Sequence, residues 1–267
     1  MFGGLCSNAQ YILSKQQQSS WISLTVGWAF AVTFAVYGGF NISGSHLNPA
    51  VSVFMFTMGH LSTRRLCVYI VAQTVGAFFG AALTFIVYYD ALNEYDGGIR
   101  SVTGPLQTAS IFATYPQPYL SVLGGFLDQV IGTTFLCVCV CILFEKKNEV
   151  PRFLQPLFVG FIVTLLTVTL SHNCGCAINP ARDLGPRLFT LLAGWGLETF
   201  SFRNYTWFWI PIVGPTLGAV IGAWMYTLFL GIQIVDETEE IRSETIRSAI
   251  QAALAKDTKW KDTELAT

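Results

Sequence analysis

Apolar residues in this chain come in long blocks separated by short polar punctuation, with no sustained alternation of apolar and polar positions. Residues 21–40, WISLTVGWAFAVTFAVYGGF, carry no charge and are long enough to cross roughly 30 Å of hydrocarbon as a helix. Blocks of the same character occupy 66–89, 122–144, 153–170 and 207–235, and each is predicted to span a membrane. The opening block 1–13, MFGGLCSNAQYIL, is too short to span, and no basic segment precedes it as in a signal peptide. Between the blocks lie a polar loop bearing Gly and Pro over 90–121 and a short charged connection over 145–152. A polar tail follows over 236–267, where Ile241, Ile246, Ile250, Ala253 and Leu254 outline one amphipathic helix.

Two stretches interrupt this pattern, GSHLNPAVSV over 44–53 and CGCAINPARDLGPRL over 174–188. Asn is a preferred helix N-cap, and Pro suits the first helical position because its missing N–H costs nothing there. Asn48-Pro49-Ala50 and Asn179-Pro180-Ala181 are therefore each predicted to start a helix, running to about 59 and about 193. One Asn-Pro dipeptide in a soluble protein is ordinarily a turn. Two copies, each before Ala and each between predicted spans, favour helix starts. Both helices are too short to cross a bilayer, and a half-helix at membrane depth is tolerated only where its free N–H groups face protein or water. A pair of them implies a water-filled site.

The chain also repeats itself. QTVGAFFGA over 73–81 is echoed by PTLGAVIGA over 215–223, and the two Asn-Pro-Ala triplets occur in the same order. Gly76 and Gly80, like Gly218 and Gly222, are four apart, a spacing that lets helix backbones approach closely. The repeat halves are about 1–121 and 122–235, and an odd number of spans in each would invert one half relative to the other.

Composition sharpens the class. The 267 residues are 52% hydrophobic and 12% charged, with a formal net charge of -1, and the mean hydropathy is +0.51. That is an integral membrane protein, not an ordinary soluble domain. The absence of a basic block argues against nucleic acid as a partner. The seven cysteines contain no C-x-x-C pair, so neither a metal site nor a disulfide framework is expected, and no cofactor is implied. Cys137, Cys139 and Cys141 read as small hydrophobes within a span. Basic residues gather at Arg64, Arg65, Lys146, Lys147 and Arg152, against Lys15, Arg100 and Arg203 on the other side. The positive-inside rule puts the former side, and both termini, in the cytoplasm. Asn41-Ile42-Ser43 matches a glycan acceptor in a segment too buried for one, and Asn204-Tyr205-Thr206 lies outside but close to the membrane.

Paired Asn-Pro-Ala motifs with Arg182 directly after the second resemble the major intrinsic protein family of aquaporins. Asp183, Arg187, the Ala-Thr-Tyr-Pro stretch over 113–116 with its Tyr115, and Pro211 resemble its glycerol-conducting subgroup, the aquaglyceroporins. The resemblance covers nearly the whole chain apart from the tail. It implies an all-α bundle of six transmembrane helices and two re-entrant half-helices with inverted-repeat symmetry, assembled as a homotetramer in the plasma membrane. It also sets Phe2-Gly3-Gly4 in the middle of the first transmembrane helix, so that helix is incomplete: a fragment, a short isoform or a misassigned start. The implied function is a passive channel for water, glycerol and other small neutral solutes that excludes ions and protons.

Site residues follow from both lines of argument. Half-helix N-termini aimed at one point place partial positive charge there and disfavour cations. Asn48 and Asn179 can cap their helices while their amide N–H groups donate into the lumen. The stretches before each triplet can turn carbonyls inward as acceptors for hydroxylated solutes. Arg182 sits in the first turn of a half-helix, where the dipole opposes it, so it must be held by backbone carbonyls or face water. The resemblance makes it the arginine of the outer constriction. Trp28 lies twenty residues before Asn48, as does the filter aromatic of the bacterial glycerol facilitator; Cys176 lies three and Thr167 twelve before Asn179. The family's water-selective members usually carry His where Thr167 stands, so Thr implies a wider opening, with Trp28 as an apolar wall. Trp28 also suits an interfacial belt.

Pro49, Ala50, Pro180 and Ala181 support the two helix starts. Asp128 is an ionisable residue inside a span and so a functional candidate, with interfacial placement as the alternative. By resemblance it holds a re-entrant loop in shape. Asp183 and Arg187 are expected to pair with each other. His46 could titrate near neutral pH, though a neutral, hydrogen-bonded loop histidine is the commoner case, and His60 and His172 read as interfacial. Cys176, His172 and Asp183 lack any acyl-binding feature, so no catalysis is implied. Two other classes compete: a non-conducting or dominant-negative subunit, suggested by the incomplete first helix, and a solute-coupled transporter, for which Asp128 alone could relay protons.

Overall fold

The computed structural model describes residues 1–234, 244–248 and 250. It divides into a compact unit over Met1–Tyr226 and a second over Thr227–Thr267. Of the amphipathic tail positions, Ile246 and Ile250 are exposed, while Ile241, Ala253 and Leu254 lie outside the described residues.

Ten α-helices follow one another up to Phe229: α1 Phe2–Leu13, α2 Trp21–Ser43, α3 Pro49–Thr57, α4 Thr63–Val87, α5 Tyr89–Asp96, α6 Val122–Phe144, α7 Gln155–Cys174, α8 Pro180–Leu192, α9 Glu198–Ser201 and α10 Ile210–Phe229. Five are long and apolar enough to cross a membrane, α2, α4, α6, α7 and α10 with its short extension to Gln233. Three of the five start at a capping serine. Ser20 accepts from the Ser23 N–H within a capping box, Ser62 from Arg65, and Ser121 from Gly124. Their outward faces carry Phe34, Val71, Phe79, Ile86, Ile131 and Phe161, each more than half exposed. Inside lie Thr25, Thr33, Thr84, Gln129 and Thr133. Apolar residues out and polar residues in is the arrangement lipid demands.

Two stretches differ from the reading of the sequence. Residues 41–43, expected to be buried beyond the second span, continue α2 and are exposed. The loop predicted over 90–121 opens with α5, because Leu92 is fully buried and Asp96 is tied by its carboxylate to Arg100, Thr108 and the Gly98 N–H. The alternating polar residues of 89–96 hide a helix that buries a single large apolar side chain.

The glycine pairs behave unequally. A Cβ on Gly222 would lie 2.8 Å from Cβ of Cys137, and one on Gly218 would strike the Val130 carbonyl, so α10 rides directly on the α6 backbone. Thr134 of α6 donates to the Gly218 carbonyl at 3.0 Å across this seam. In α4 only Gly80 makes such an approach, against Met1 and Phe2, while Gly76 meets nothing within 4 Å.

Candidate functional site

The half-helices α3 and α8 begin at the two Asn-Pro-Ala triplets. Asn48 Oδ1 accepts from the Ala50 N–H at 2.8 Å, and Asn179 Oδ1 accepts from Ala181 and Arg182, both at 3.1 Å. Pro49 and Pro180 occupy the first helical position in each. Both asparagines are also tied across the repeat. Asn48 Nδ2 donates to the Ile178 carbonyl at 2.8 Å, and Asn179 Nδ2 donates to the Leu47 carbonyl at 3.1 Å. Each amide has two N–H groups, so this bond leaves one on each side chain for the lumen.

The segments leading to the triplets are coiled, not simply extended. Gly44, Ser45 and Leu47 have φ of 77°, 45° and 55°, and Gly175, Cys176 and Ile178 have 82°, 51° and 38°. The left-handed residues stand at the same three offsets from each asparagine. Only the two glycines adopt this region freely; a β-branched residue such as Ile178 is an outlier there. Ile178 is held by two bonds, its N–H to Gln129 Oε1 at 2.8 Å and its carbonyl to Asn48.

Two cavities of about 570 and 580 Å³ meet at the asparagines, sharing Val32, Asn48, Leu136, Val163 and Asn179 in their walls. Residues 175–178 line the first, on the side of the long loop, and residues 44–47 line the second, on the side of His60, Glu145 and Arg152. The positive ends of both half-helices therefore face the junction, each worth about half an elementary charge.

Arg182 is buried in the first cavity. Its Nη1 donates to the Phe112 carbonyl at 2.8 Å, and its guanidinium lies 4.7 Å over the Trp28 ring. The carbonyl partner is the kind that the dipole argument required. Thr167 and Cys176 line the same cavity. The Thr167 hydroxyl is spent on its own helix, donating to Val163 O at 2.8 Å, and Cys176 Sγ turns to the Leu166 carbonyl at 3.6 Å.

Asp183 and Arg187 are fully buried and pair at 2.8 Å. Together they pin the long loop: Asp183 Oδ2 accepts from the Thr114 N–H at 2.7 Å and its hydroxyl at 2.5 Å, while Arg187 donates to the carbonyls of Thr114 and Thr199, both at 2.7 Å. Arg187 also lies 4.7 Å over Tyr115, whose phenol burial pushes up to about 12. Thr114 is two residues from the carbonyl that holds Arg182, so this pair anchors the loop segment beside that arginine.

Asp128 is only half-buried. It accepts from Asn173 Nδ2 at 2.9 Å and Cys174 Sγ at 3.2 Å, at the C-terminal end of α7. Its neighbour Gln129, fully buried, reaches deeper into the same segment through the bond to Ile178. One helical step turns Gln129 inward and Asp128 aside. The sequence reading missed it by ranking charge above burial; a polar amide inside a span was the available signal. Asn8 was missed as well. It joins Trp28 to the long loop, accepting from the indole N–H and donating to the Ile111 carbonyl, both at 2.9 Å.

His46 lies 3.1 Å from Ser52 Oγ, with its ring edge-on to Tyr69, and burial lowers its pKa below the ordinary 6.5. His60 and His172 are exposed. Cys137 is buried against α10, whereas Cys139 and Cys141 are partly buried, the latter in the second cavity's wall.

Comparison with known proteins agrees with this geometry. The family model described as major intrinsic protein matches residues 1–226. Aquaporin-9 of Mus musculus is 45% identical over 249 residues, covering 93% of this chain and 84% of that protein. Aquaporin-10 of Homo sapiens is 46% identical over 225 residues, covering 84% of this chain and 74% of that protein. The X-ray structure of the aquaglyceroporin from Plasmodium falciparum superposes with a TM-score of 0.76 at 28% identity, covering 86% of this chain and 90% of that one. A match of this extent, with relatives this similar, places the chain in the major intrinsic protein family: it is an integral membrane channel for water and small solutes, not an enzyme.

Proposed function

We propose that this channel conducts glycerol and other small polyols as well as water, down their gradients, and excludes ions and protons. The observation that carries this reading is the set of residues at Arg182, where a cation lies on an indole face in a cavity also lined by Thr167 and Cys176. Trp28 offers an apolar surface for a carbon backbone, and Arg182 offers N–H donors to the hydroxyls. Thr167, its hydroxyl donating to Val163, stands in the cavity wall with a small side chain where a bulkier ring would narrow the opening. Asn48 and Asn179 donate to each passing oxygen at the junction, and the carbonyls of 44–47 and 175–178 supply acceptors on either side. The two helix ends oppose cations there, and Arg182 opposes them a second time.

Pro49, Ala50, Pro180 and Ala181 set the half-helix starts; Asp128, through Asn173 and Cys174, and Asp183, through Thr114, hold the surrounding segments. The channel domain is residues 1–235 and the tail 236–267. The charge asymmetry of the connections puts both ends in the cytoplasm. Family resemblance makes the assembly a homotetramer in the plasma membrane, with one pore per subunit.

Light-scattering of proteoliposomes under an inward glycerol gradient tests the proposal. Swelling well above that of protein-free vesicles, with no added proton leak, is the expected result. Folded, reconstituted protein without glycerol flux would sink it.

A further inference from the structure

Beside Trp28, Arg182, Thr167 and Cys176 stands a fifth residue that the motifs do not name. Asn8, on α1, is 8% exposed and lines the first cavity. Its Oδ1 accepts from Trp28 Nε1 and its Nδ2 donates to the Ile111 carbonyl, both at 2.9 Å. The next carbonyl along, that of Phe112, accepts from Arg182, and Arg182 covers the Trp28 ring. The contacts close a circuit through α1, α2, the long loop and α8. An indole nitrogen can only donate and a backbone carbonyl can only accept, so the orientation of the Asn8 amide is fixed by its partners. The ring also rests against the Gly4 backbone, where an added Cβ would lie 2.5 Å from Trp28 Cδ2.

We propose that Asn8 is a positioning residue for solute selection, holding the plane of Trp28 against Arg182 and so setting the largest polyol that passes. This rests on the reading of Trp28 and Arg182 as the constriction. An indole released from Asn8 keeps its stack on Arg182 but loses its only directional bond, and it then samples orientations that open the gap. A purely structural role for Asn8 would change how much folded channel there is, not which solute it prefers.

The test is the ratio of erythritol to glycerol permeability in proteoliposomes, which is internal to each preparation and independent of folded yield. Asn8→Leu, similar in size but unable to accept or donate, should raise the ratio about five-fold, the worth of one net hydrogen bond. In a Trp28→Phe background, which lacks the N–H, the same change should move the ratio by less than about two-fold if the indole bond is the one that matters. If Asn8→Leu does not fold, Asn8→Ser, too short to bridge both partners, takes its place in the cycle. An unchanged ratio, or the same factor in both backgrounds, would overturn the proposal. Trp28→Ala separates it from the underlying reading: a ratio unmoved there removes Trp28 from the constriction, whereas a ratio moved there but not by Asn8→Leu removes only Asn8.

Discussion

The side-chain amide of Asn48 donates to the backbone carbonyl of Ile178, 130 residues away, at 2.8 Å. Asn179 returns the bond to Leu47 at 3.1 Å. Each half-helix start is thus capped by its own asparagine and secured by the other's, so cap and pore lining are one residue. Replacing Asn48 with Ala removes the cap, at about 1 kcal/mol, and leaves the Ile178 carbonyl without its donor. Thermal unfolding in detergent should fall for Asn48→Ala and Asn179→Ala, and the double variant should lose less than the sum because each removal disturbs the same crossing. Strict additivity would contradict the shared junction.

Asp183 holds three donors while fully buried, from Arg187 and from the amide and hydroxyl of Thr114. Asp183→Ala leaves a buried guanidinium unpaired and should cost about 3–5 kcal/mol. The expected measurement is loss of folded, monodisperse protein, with Asp183→Asn milder because its amide oxygen still accepts. The same variant frees the loop that carries the Phe112 carbonyl, so surviving Asp183→Asn channels should show a less restrictive constriction.

Much of this was legible before any coordinates. The α6 boundaries match the predicted 122–144, because Ser121 and the end of the apolar run mark both ends chemically. Asn-Pro announced both half-helices through capping alone. What escaped notice depends on direction in space. Nothing in the residue types Ser45, Leu47, Cys176 or Ile178 announces left-handed backbone, and their matched placement appears only when the halves are compared in three dimensions. Asp128 drew attention because charge is conspicuous in a span; it meets the start of the second re-entrant segment, and helix phase turns its neighbour Gln129 to the end of it. Asn8 is an ordinary polar residue near the start of the chain until its two partners, 20 and 103 positions away, are known.

Gly4 tests how tightly the Trp28 ring is seated. A methyl there overlaps the indole, which also packs against Arg182, so the ring must shift within the cavity wall. Gly4→Ala should lower glycerol permeability more than water permeability, as measured in the same vesicles. An equal loss of both would mean that the change reduced folded protein and left the opening alone.

His46 gives the stability a pH dependence of definite sign. Burial beside Ser52 and Tyr69 lowers its pKa below 6.5, so the unfolded chain takes up the proton first as pH falls. Its contribution is nil well above 6.5 and becomes destabilising as pH drops through that value, levelling off below the folded pKa. Between pH 7.5 and 5, chosen at roughly one unit or more either side of the imidazole midpoint, the melting temperature of His46→Gln should fall less than that of the parent. Equal falls would remove His46 from the account.

Under the proposed function, Thr167 leaves room for a polyol where a ring would not. The direct measurement is the ratio of glycerol to water permeability in proteoliposomes of the parent chain and of Thr167→His. The expected result is substantial glycerol flux in the parent and a ratio reduced by about ten-fold or more in Thr167→His, equivalent to ~1.4 kcal/mol of added barrier, with water flux largely retained. Glycerol flux absent from the folded parent, or unchanged by the histidine, would contradict it.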